Sequence, residues 1–325
     1  MKLKENVLNE LEANRGNSIS GAQLAKKLGV SRTAVWKAIE ELRKDGIEIS
    51  AITNKGYILN SDDNSLSAEG IKAVLGKTNY SIHVERIVTS TNTVLKEMAK
   101  DGEASGYVLA AQEQTAGKGR LGRKFYSPDK TGIYLSIILR PKITIENALF
   151  ITTSAAVAVS RAIETVSGGK VKAQIKWVND VFVNGKKVCG ILTEASVDFE
   201  SGGLEYAVLG IGVNILPPEN NFPEEICNVA TSVFSSRNHK NIRNRLAAEI
   251  LRELERLPDN FMSKEVLDEY RSRSMLIGKK VYAVSGDKKD SCVVLDIDDM
   301  ARLIVRFDDG SEKALSTGEV SIKIN

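Results

Sequence analysis

The chain has 325 residues, 42% of them hydrophobic and 27% charged, with a formal net charge of +3 at pH 7. That length suits two or three domains, and the composition is ordinary for globular chains, which excludes disordered and fibrous classes. The longest apolar runs, such as Ala155-Ala156-Val157-Ala158-Val159, fall far short of the ~18–20 residues that a bilayer span needs.

The first residues alternate charged and apolar types with no hydrophobic signal region, so no secretory leader is expected. Cys189, Cys227 and Cys292 are far apart, odd in number and match no metal spacing, which suits a reducing cytoplasm. Only two histidines, His83 and His239, are present, too little material for a His-based zinc site, and no protein-held metal is expected. The charge is unevenly placed. Residues 1–60 hold ten Lys/Arg against seven Asp/Glu, an excess equal to that of the whole chain. A second basic knot lies at Lys118, Arg120, Arg123 and Lys124. Two separate basic patches suggest two separate anionic partners.

In chain order, Leu3, Val7, Leu8 and Leu11 share one face of a first helix. Ser20 and Gln23 form a capping box opening a second helix, which stops at Leu28-Gly29. Ser31 caps a third, with Val35, Ala38, Ile39 and Leu42 turned inward. The short connection between the second and third helices describes a helix-turn-helix. Arg32, Thr33, Trp36 and Lys37 lie on the outward first turns of the third helix, beside Ser31. They are residue types that reach phosphates and base edges. Residues 47–49 and 56–59 read as a hairpin with Asn54 and Lys55 at its tip, which makes the module a winged helix and DNA its expected partner.

The polar stretch 60–65 places a boundary, giving a DNA-binding domain at 1–62. Beyond it the pattern predicts a helix at 68–75, a strand at 83–88 and a helix at about 91–100. Strands at 106–111 and 132–139 precede a long apolar helix at about 146–166. Strands follow at 172–178, 181–183, 188–195 and 206–215, then helices at 242–257 and 265–271. This is an α+β body with one mixed sheet, assigned to 63–272. Five short strands from 280 to 324, with turns at Ser285-Gly286-Asp287 and Asp308-Asp309-Gly310, read as a small SH3-like β-barrel domain at 273–325.

Two motifs mislead. Gly117-Lys118-Gly119-Arg120-Leu121-Gly122 matches the dinucleotide fingerprint, but Pro128 follows where a helix should run and Arg140 stands where an acid is needed. Gly70 to Gly76-Lys77-Thr78 resembles a phosphate loop, but its glycines are one residue too far apart, and a helix C-cap explains it better. No Gly-x-Ser-x-Gly elbow is present.

Three elements remain. The glycines at 117–122 allow close backbone approach, and the interleaved cations neutralise a phosphate or carboxylate. Asn184-Gly185 marks a tight hairpin that places Lys186 and Lys187 at the start of the returning strand, after Lys176-Trp177-Val178-Asn179-Asp180. Ser90-Thr91-Asn92 sits at a strand-to-helix junction, where plain N-capping or binding of a small polar group would each explain it.

Taken together, these residues resemble the biotin protein ligase family in its bifunctional form, which is also a biotin operon repressor. The resemblance runs over essentially the whole chain. Its motifs are Ser-Thr-Asn, the glycine-basic loop, Trp-x-Asn-Asp, the lysine before Gly-Ile-Leu, and Gly-Ile-Gly-Val-Asn, in that order.

The resemblance implies two steps, with ATP and biotin as substrates and Mg²⁺ assisting. Biotin attacks the α-phosphate of ATP to give biotinyl-5′-adenylate, and the acyl group then passes to a lysine of a biotin carboxyl carrier domain. By position, Ser90, Thr91, Asn92 and Gln114 would hold biotin. Lys118, Gly119 and Arg120 would close over biotin and adenylate, joined on the adenylate side by Gly117 and Arg123. Lys187 would be catalytic, meeting the biotin carboxylate and the charge developing at phosphorus. Trp177, Asn179, Asp180 and Asn214 would line the adenylate side. The adenylate would act as corepressor by favouring a homodimer on operator DNA. Two departures stand out: Lys118 where the family often has arginine, which loses a bidentate fork, and Val178 where it has proline, which is expected to loosen the turn. The alternatives are a non-catalytic biotin-sensing regulator and a lipoate or octanoate ligase of the same superfamily.

Overall fold

The computed structural model describes residues 3–198, 200, 202–285, 288–316 and 319–322. The first module comprises α1 (Leu3–Ala13), α2 (Gly21–Leu28), α3 (Arg32–Lys44) and a hairpin of β1 (Ile49–Ile52) and β2 (Gly56–Leu59). The capping box forms as expected: Gln23 N donates to Ser20 Oγ at 3.1 Å and Ser20 N to Gln23 Oε1 at 2.9 Å. Gly29 ends α2 in the left-handed region, with φ 66°. Val7, Leu11, Leu24, Val35, Ile39 and Leu59 are buried together, each contributing roughly 1.5–3 kcal/mol over exposure.

The first wing strand starts later than the pattern suggests. Ile47 N donates back to Leu42 O at 3.1 Å, so Ile47 closes the end of α3 as a buried plug, and pairing begins at Ile49.

The body contains α4 (Ala68–Leu75), β3 (Ser81–Val88), α5 (Thr91–Lys100), β4 (Tyr107–Gln114), β5 (Gly132–Leu139), α6 (Leu149–Val166) and β6 (Gln174–Lys176). It continues with β7 (Asp180–Val183), β8 (Lys186–Val197), β9 (Leu204–Asn214), α7 (Ile242–Glu255) and α8 (Lys264–Ser272). One seven-stranded mixed sheet runs β3-β4-β5-β9-β8-β7-β6, parallel only at β3–β4, where α5 supplies the crossover. Helix α6 is apolar nearly all round because it is buried nearly all round. A 3₁₀ turn at Ile145–Asn147 takes the place of its expected first turn. Strand β6 is shorter than expected, because Trp177 and Val178 belong to the turn before β7.

The linker is gripped by the start of α7. Arg243, fully buried, donates from Nε to Gly132 O at 2.8 Å, and its other nitrogens reach Asn64 O and Gln112 O. Asn244 donates to Ser65 O and accepts from Ser67 N, and Asn64 Oδ1 accepts from Ile242 N. Arg15 reaches across from α1 to Asn60 O and Asp63 O, 3.1 Å each. A buried arginine is tolerable only with such partners.

The C-terminal strands β10 (Lys280–Ser285), β11 (Lys288–Ile297), β12 (Leu303–Phe307), β13 (Glu312–Leu315) and β14 (Glu319–Ile322) form an antiparallel sheet ordered β13-β12-β11-β10-β14. The five expected strands form one sheet in which the first strand, β10, pairs with both the second and the last; among the described residues no pairing joins β13 to β14. Gly286 and Asp287 of the expected turn and the end of the expected last strand lie outside the described residues. The sheet packs its Val281, Val294, Ile297, Leu303 and Val305 into one core continuous with the body.

Candidate active site

Register builds the floor of the site. On one sheet face Gly190 of β8 stands opposite Gly212 of β9, which stands opposite Tyr134 of β5; in the next row Leu192, Gly210 and Ser136 align. A cleft of about 160 Å³ lies over this part of the sheet, with Gly190, Gly210 and Gly212 in its lining. A Cβ at Gly210 would lie 1.9 Å from Asn92 Oδ1, and one at Gly212 would lie 2.6 Å from the Phe125 ring. The glycines are therefore spaces already filled by neighbouring side chains.

One wall is the start of α5. Ser90, Thr91 and Asn92 are all buried and line the cleft. Ser90 holds the N-cap position without a side-chain cap hydrogen bond, so capping does not account for it. Thr91 N donates to Gln114 Oε1 at 2.8 Å, and Gln114 Nε2 donates to Ser127 Oγ at 2.9 Å. Asn92 Nδ2 donates to Leu192 O and to Glu194 Oε2.

The roof is the basic loop. Gly119 N donates to Arg123 O at 2.7 Å and Phe125 N to Gly117 O at 2.8 Å, which folds 117–125 into a compact hairpin rather than a loose glycine coil. Leu121 at its tip takes φ 55° and is 73% exposed. Lys118, Gly119, Arg120 and Arg123 line the cleft, and Arg120 Nη1 donates to Asn179 Oδ1 at 3.1 Å.

The far wall comes from the β6–β7 turn and β8. Lys187 Nζ is 2.6 Å from Asp180 Oδ1. Its backbone is pinned on both sides, donating to Val229 O at 2.8 Å and accepting from Thr231 N at 2.9 Å. Asn179 is locked to Ile191 by two hydrogen bonds: Asn179 Nδ2 donates to Ile191 O at 2.7 Å, and Ile191 N donates to Asn179 O at 2.9 Å. Trp177 is buried, and its Nε1 donates to Ala301 O at 3.0 Å, tying the site to the C-terminal sheet. The turn at Val178 is held, not loosened: Val178 is buried and its carbonyl accepts from Tyr270 OH at 2.9 Å. Burial raises the Cys189 thiol well above its ordinary pKa, so the cysteine beneath the site is an inert apolar filler.

The expected site residues therefore converge, with two exceptions. Gly117 and Asn214 lie outside the lining of the cleft. Gly117 has no room for a Cβ beside Phe125 O, and Asn214 ends β9, where its carbonyl accepts from Val233 N. The lining also includes Phe125 and Tyr134, which no sequence motif marks, and Lys176, Gly190, Gly210 and Gly212, which stand inside the motifs but were given no role there. The alternating Gly210-Ile211-Gly212 carries the signal for the glycines' role, since period two puts both on one face.

In the helix-turn-helix, Ser31 at the N-cap of α3 and Arg32, Thr33, Trp36 and Lys37 on its first turns are all exposed, with Trp36 51% exposed. Ser31 Oγ accepts from Ala34 N at 3.1 Å and so caps the helix.

Comparison with known proteins agrees with both ends. Residues 84–214 match the biotin/lipoate A/B protein ligase family and residues 4–58 match an HTH domain. The chain is 35% identical to the bifunctional ligase/repressor BirA of Bacillus subtilis, over 94% of this chain and 95% of that one. It is 31% identical to the protein of the same name from Escherichia coli, over 95% and 94%. A biotin protein ligase from Aquifex aeolicus, solved in complex with biotin and ATP, superposes with a TM-score of 0.62 at 26% identity, covering 76% of this chain and all of that one. With a helix-turn-helix at one end, a ligase cleft at the centre and such identity along nearly its full length, the chain belongs to the bifunctional biotin ligase/repressor family.

Proposed function

We infer that this chain joins biotin to ATP, forming biotinyl-5′-adenylate and pyrophosphate, and then passes the acyl group to a lysine of a biotin carboxyl carrier domain. The same chain represses transcription by binding operator DNA through its helix-turn-helix. The observation that carries the ligase reading is one cleft with Ser90-Thr91-Asn92 on one wall and Lys187, Arg120 and Lys118 across from it.

In the first step a biotin carboxylate oxygen attacks the α-phosphorus and the bond to the pyrophosphate oxygen breaks. Carboxylate and triphosphate repel each other, so cations fixed between them are the main catalytic device. Lys187 is assigned that position. Its pairing with Asp180 and its pinned backbone support the assignment, because a held ammonium needs no reorganisation at the moment of reaction. Arg120, Lys118 and Arg123 are assigned to the phosphate and to closing the site, which shields the mixed anhydride from water. Trp177, Asn179 and Asp180 are assigned to the adenylate side. In the second step the acceptor amine attacks the acyl carbon, AMP leaves, and the amine proton is lost to solvent or to a base.

Magnesium is proposed to arrive with the nucleotide phosphates. Among the described residues no group of three His, Cys, Asp or Glu side chains offers a ready metal site, so no step is assigned to it. A homodimer on two-fold DNA and a cytoplasmic setting complete the reading, the latter suiting three unpaired thiols. The domain bounds 1–62, 63–272 and 273–325 are part of the same proposal.

The test is isotope exchange between pyrophosphate and ATP. Biotin-dependent exchange is expected, with lipoate as the control acid; exchange with lipoate alone would make this a lipoate ligase, and none with either acid a sensor.

A further inference from the structure

The wall at Ser90-Thr91-Asn92 has most of its hydrogen bonds committed to the protein itself. Asn92 Nδ2 donates to Leu192 O at 3.2 Å and to Glu194 Oε2 at 3.1 Å, which uses both amide protons. Asn92 Oδ1 lies 2.6 Å from Ser136 Oγ, and an amide oxygen only accepts, so the one Ser136 proton points there. Ser136 Oγ also lies 2.7 Å from Thr91 Oγ1, and Thr91 Oγ1 lies 3.2 Å from Gln114 Oε1. The single Thr91 proton goes to one of these two neighbours. Toward the cleft, Thr91 therefore offers a lone pair and no proton. Ser90 is the complement: it is buried, and its hydroxyl has no acceptor among the described residues, so it has a proton to give.

This polarity starts from the two acceptors of the Asn92 amide. The Glu194 carboxylate and the Leu192 carbonyl can only accept, so together they decide which end of the Asn92 amide faces them, and Ser136 and Thr91 follow. Glu194 is itself held, with Lys96 Nζ 3.0 Å from Oε1. Burial works against its charge, but the hydrogen bonds from Lys96 and Asn92 outweigh it and keep the carboxyl below the usual carboxylate range.

We propose that Glu194, which does not line the cleft, is a positioning and specificity-determining residue. Acting with Leu192 O, and through Asn92 and Ser136, it sets the proton direction of the wall so that the site selects acids whose head group carries an N–H beside a C=O. A cyclic urea meets that demand: its N–H is accepted by Thr91 and its C=O receives the Ser90 proton. An acid with a disulfide or purely aliphatic head offers no N–H and leaves a buried hydroxyl unanswered. The proposal rests on the cleft being the biotin site.

The experiment is exchange kinetics of Glu194→Gln and Ser136→Ala in the full chain, with biotin, lipoate and octanoate as the acids. Glutamine keeps the volume but loses the charge and can donate, so the Asn92 amide is held in this orientation by Leu192 O alone. For each variant the KM for biotin should rise about tenfold, as for one lost hydrogen bond. The KM for ATP and the kcat at saturating biotin should stay within about twofold, the signature of a lost ground-state contact. The preference for biotin over lipoate should narrow in step. Unchanged biotin KM and acid preference in folded variants would overturn the proposal, as would a uniform fall in every parameter for both. A wild type lacking biotin-dependent exchange would refute the biotin reading itself, whereas normal wild-type exchange with unaffected variants would refute the role of Glu194 alone.

Discussion

Lys187 and its neighbour Lys186 face opposite surroundings from one strand: Lys187 Nζ sits 2.6 Å from Asp180 Oδ1 in the cleft, while Lys186 Nζ donates to Cys227 O at 3.0 Å on the exposed side. The sequence offers two lysines in tandem, and the β7–β8 bulge between Val181 and Phe182 is what sorts them. Lys187→Ala should lower the rate of adenylate formation by on the order of 10²–10³, the usual cost of one fixed charge-stabilising donor. Lys186→Ala should stay within about twofold, as befits a solvated surface charge. Pyrophosphate exchange on both variants checks this, and equal mild losses would remove Lys187 from its role.

Gly210 gives a sharper geometric test. A methyl group there would lie 1.9 Å from Asn92 Oδ1, with Asn92 Cγ at 2.7 Å as the next contact. Gly210→Ala should destabilise the fold by about 1–3 kcal/mol and weaken biotin binding, because the Asn92 amide must move off β9. Adding Asn92→Ala removes the three atoms nearest the methyl, all of them in the Asn92 amide, so the double variant should recover thermal stability but not biotin affinity. Recovery of neither in melting and titration experiments would mean that the glycine serves something other than Asn92.

These glycines show where the sequence stops being legible. Helix caps and stripes could be read because they are local: Ser20 with Gln23, Ser31 over Ala34, and the Asn184-Gly185 turn all form as their chemistry dictates. The charge of the loop and the tandem lysines could be read for the same reason. The floor of the site could not, because it depends on Gly190, Gly212 and Tyr134 meeting in register across strands some 20 to 80 residues apart in the chain. Arg243 reads as an ordinary helix cation, and only the fold shows it buried against three segments. The C-terminal strands were visible as strands, but their pairing order was not, because it joins residues far apart in the chain. The short β6 had the opposite problem: Trp177 and Val178 are apolar because the turn is buried, not because the strand continues.

Acid sensitivity should be traceable to the back of the ligase body. The Arg273 guanidinium holds the Glu164 carboxyl below the ordinary value of 4.5, against the cost of burial. Glu269 is also held low: burial opposes its charge, but hydrogen bonds from Arg161 and Arg273 outweigh it. A depressed carboxyl pKa contributes stability that is complete above the unfolded value and is lost as pH falls through the folded one. Arg273→Met should therefore be less stable than the wild type at pH 7, and the gap should close as pH drops below about 4.5. Melting temperatures of both proteins between pH 7 and pH 3 check the sign; a gap that stays constant would show that Arg273 acts by packing alone.

The DNA end yields a prediction that separates positioning from contact. Arg32, Thr33, Trp36 and Lys37 project from the first turns of α3, and none of the four has a side-chain hydrogen bond or ion pair among the described residues. Ser31, beside them, has its hydroxyl committed to Ala34 N. Arg32→Ala and Lys37→Ala should each lower affinity for duplex DNA and, for each phosphate contact removed, flatten the dependence of log affinity on log salt by about 1. Ser31→Ala should lower affinity without changing that slope, because it costs roughly 1 kcal/mol of helix stability and no charge. All three should ligate biotin at the wild-type rate, since α3 does not line the cleft. Anisotropy titrations on a duplex selected from a random pool, run at several salt concentrations, distinguish these outcomes. An unchanged slope for both Arg32→Ala and Lys37→Ala would move the phosphate contacts to another face, and loss of ligation would show that the two activities cannot be separated by residue.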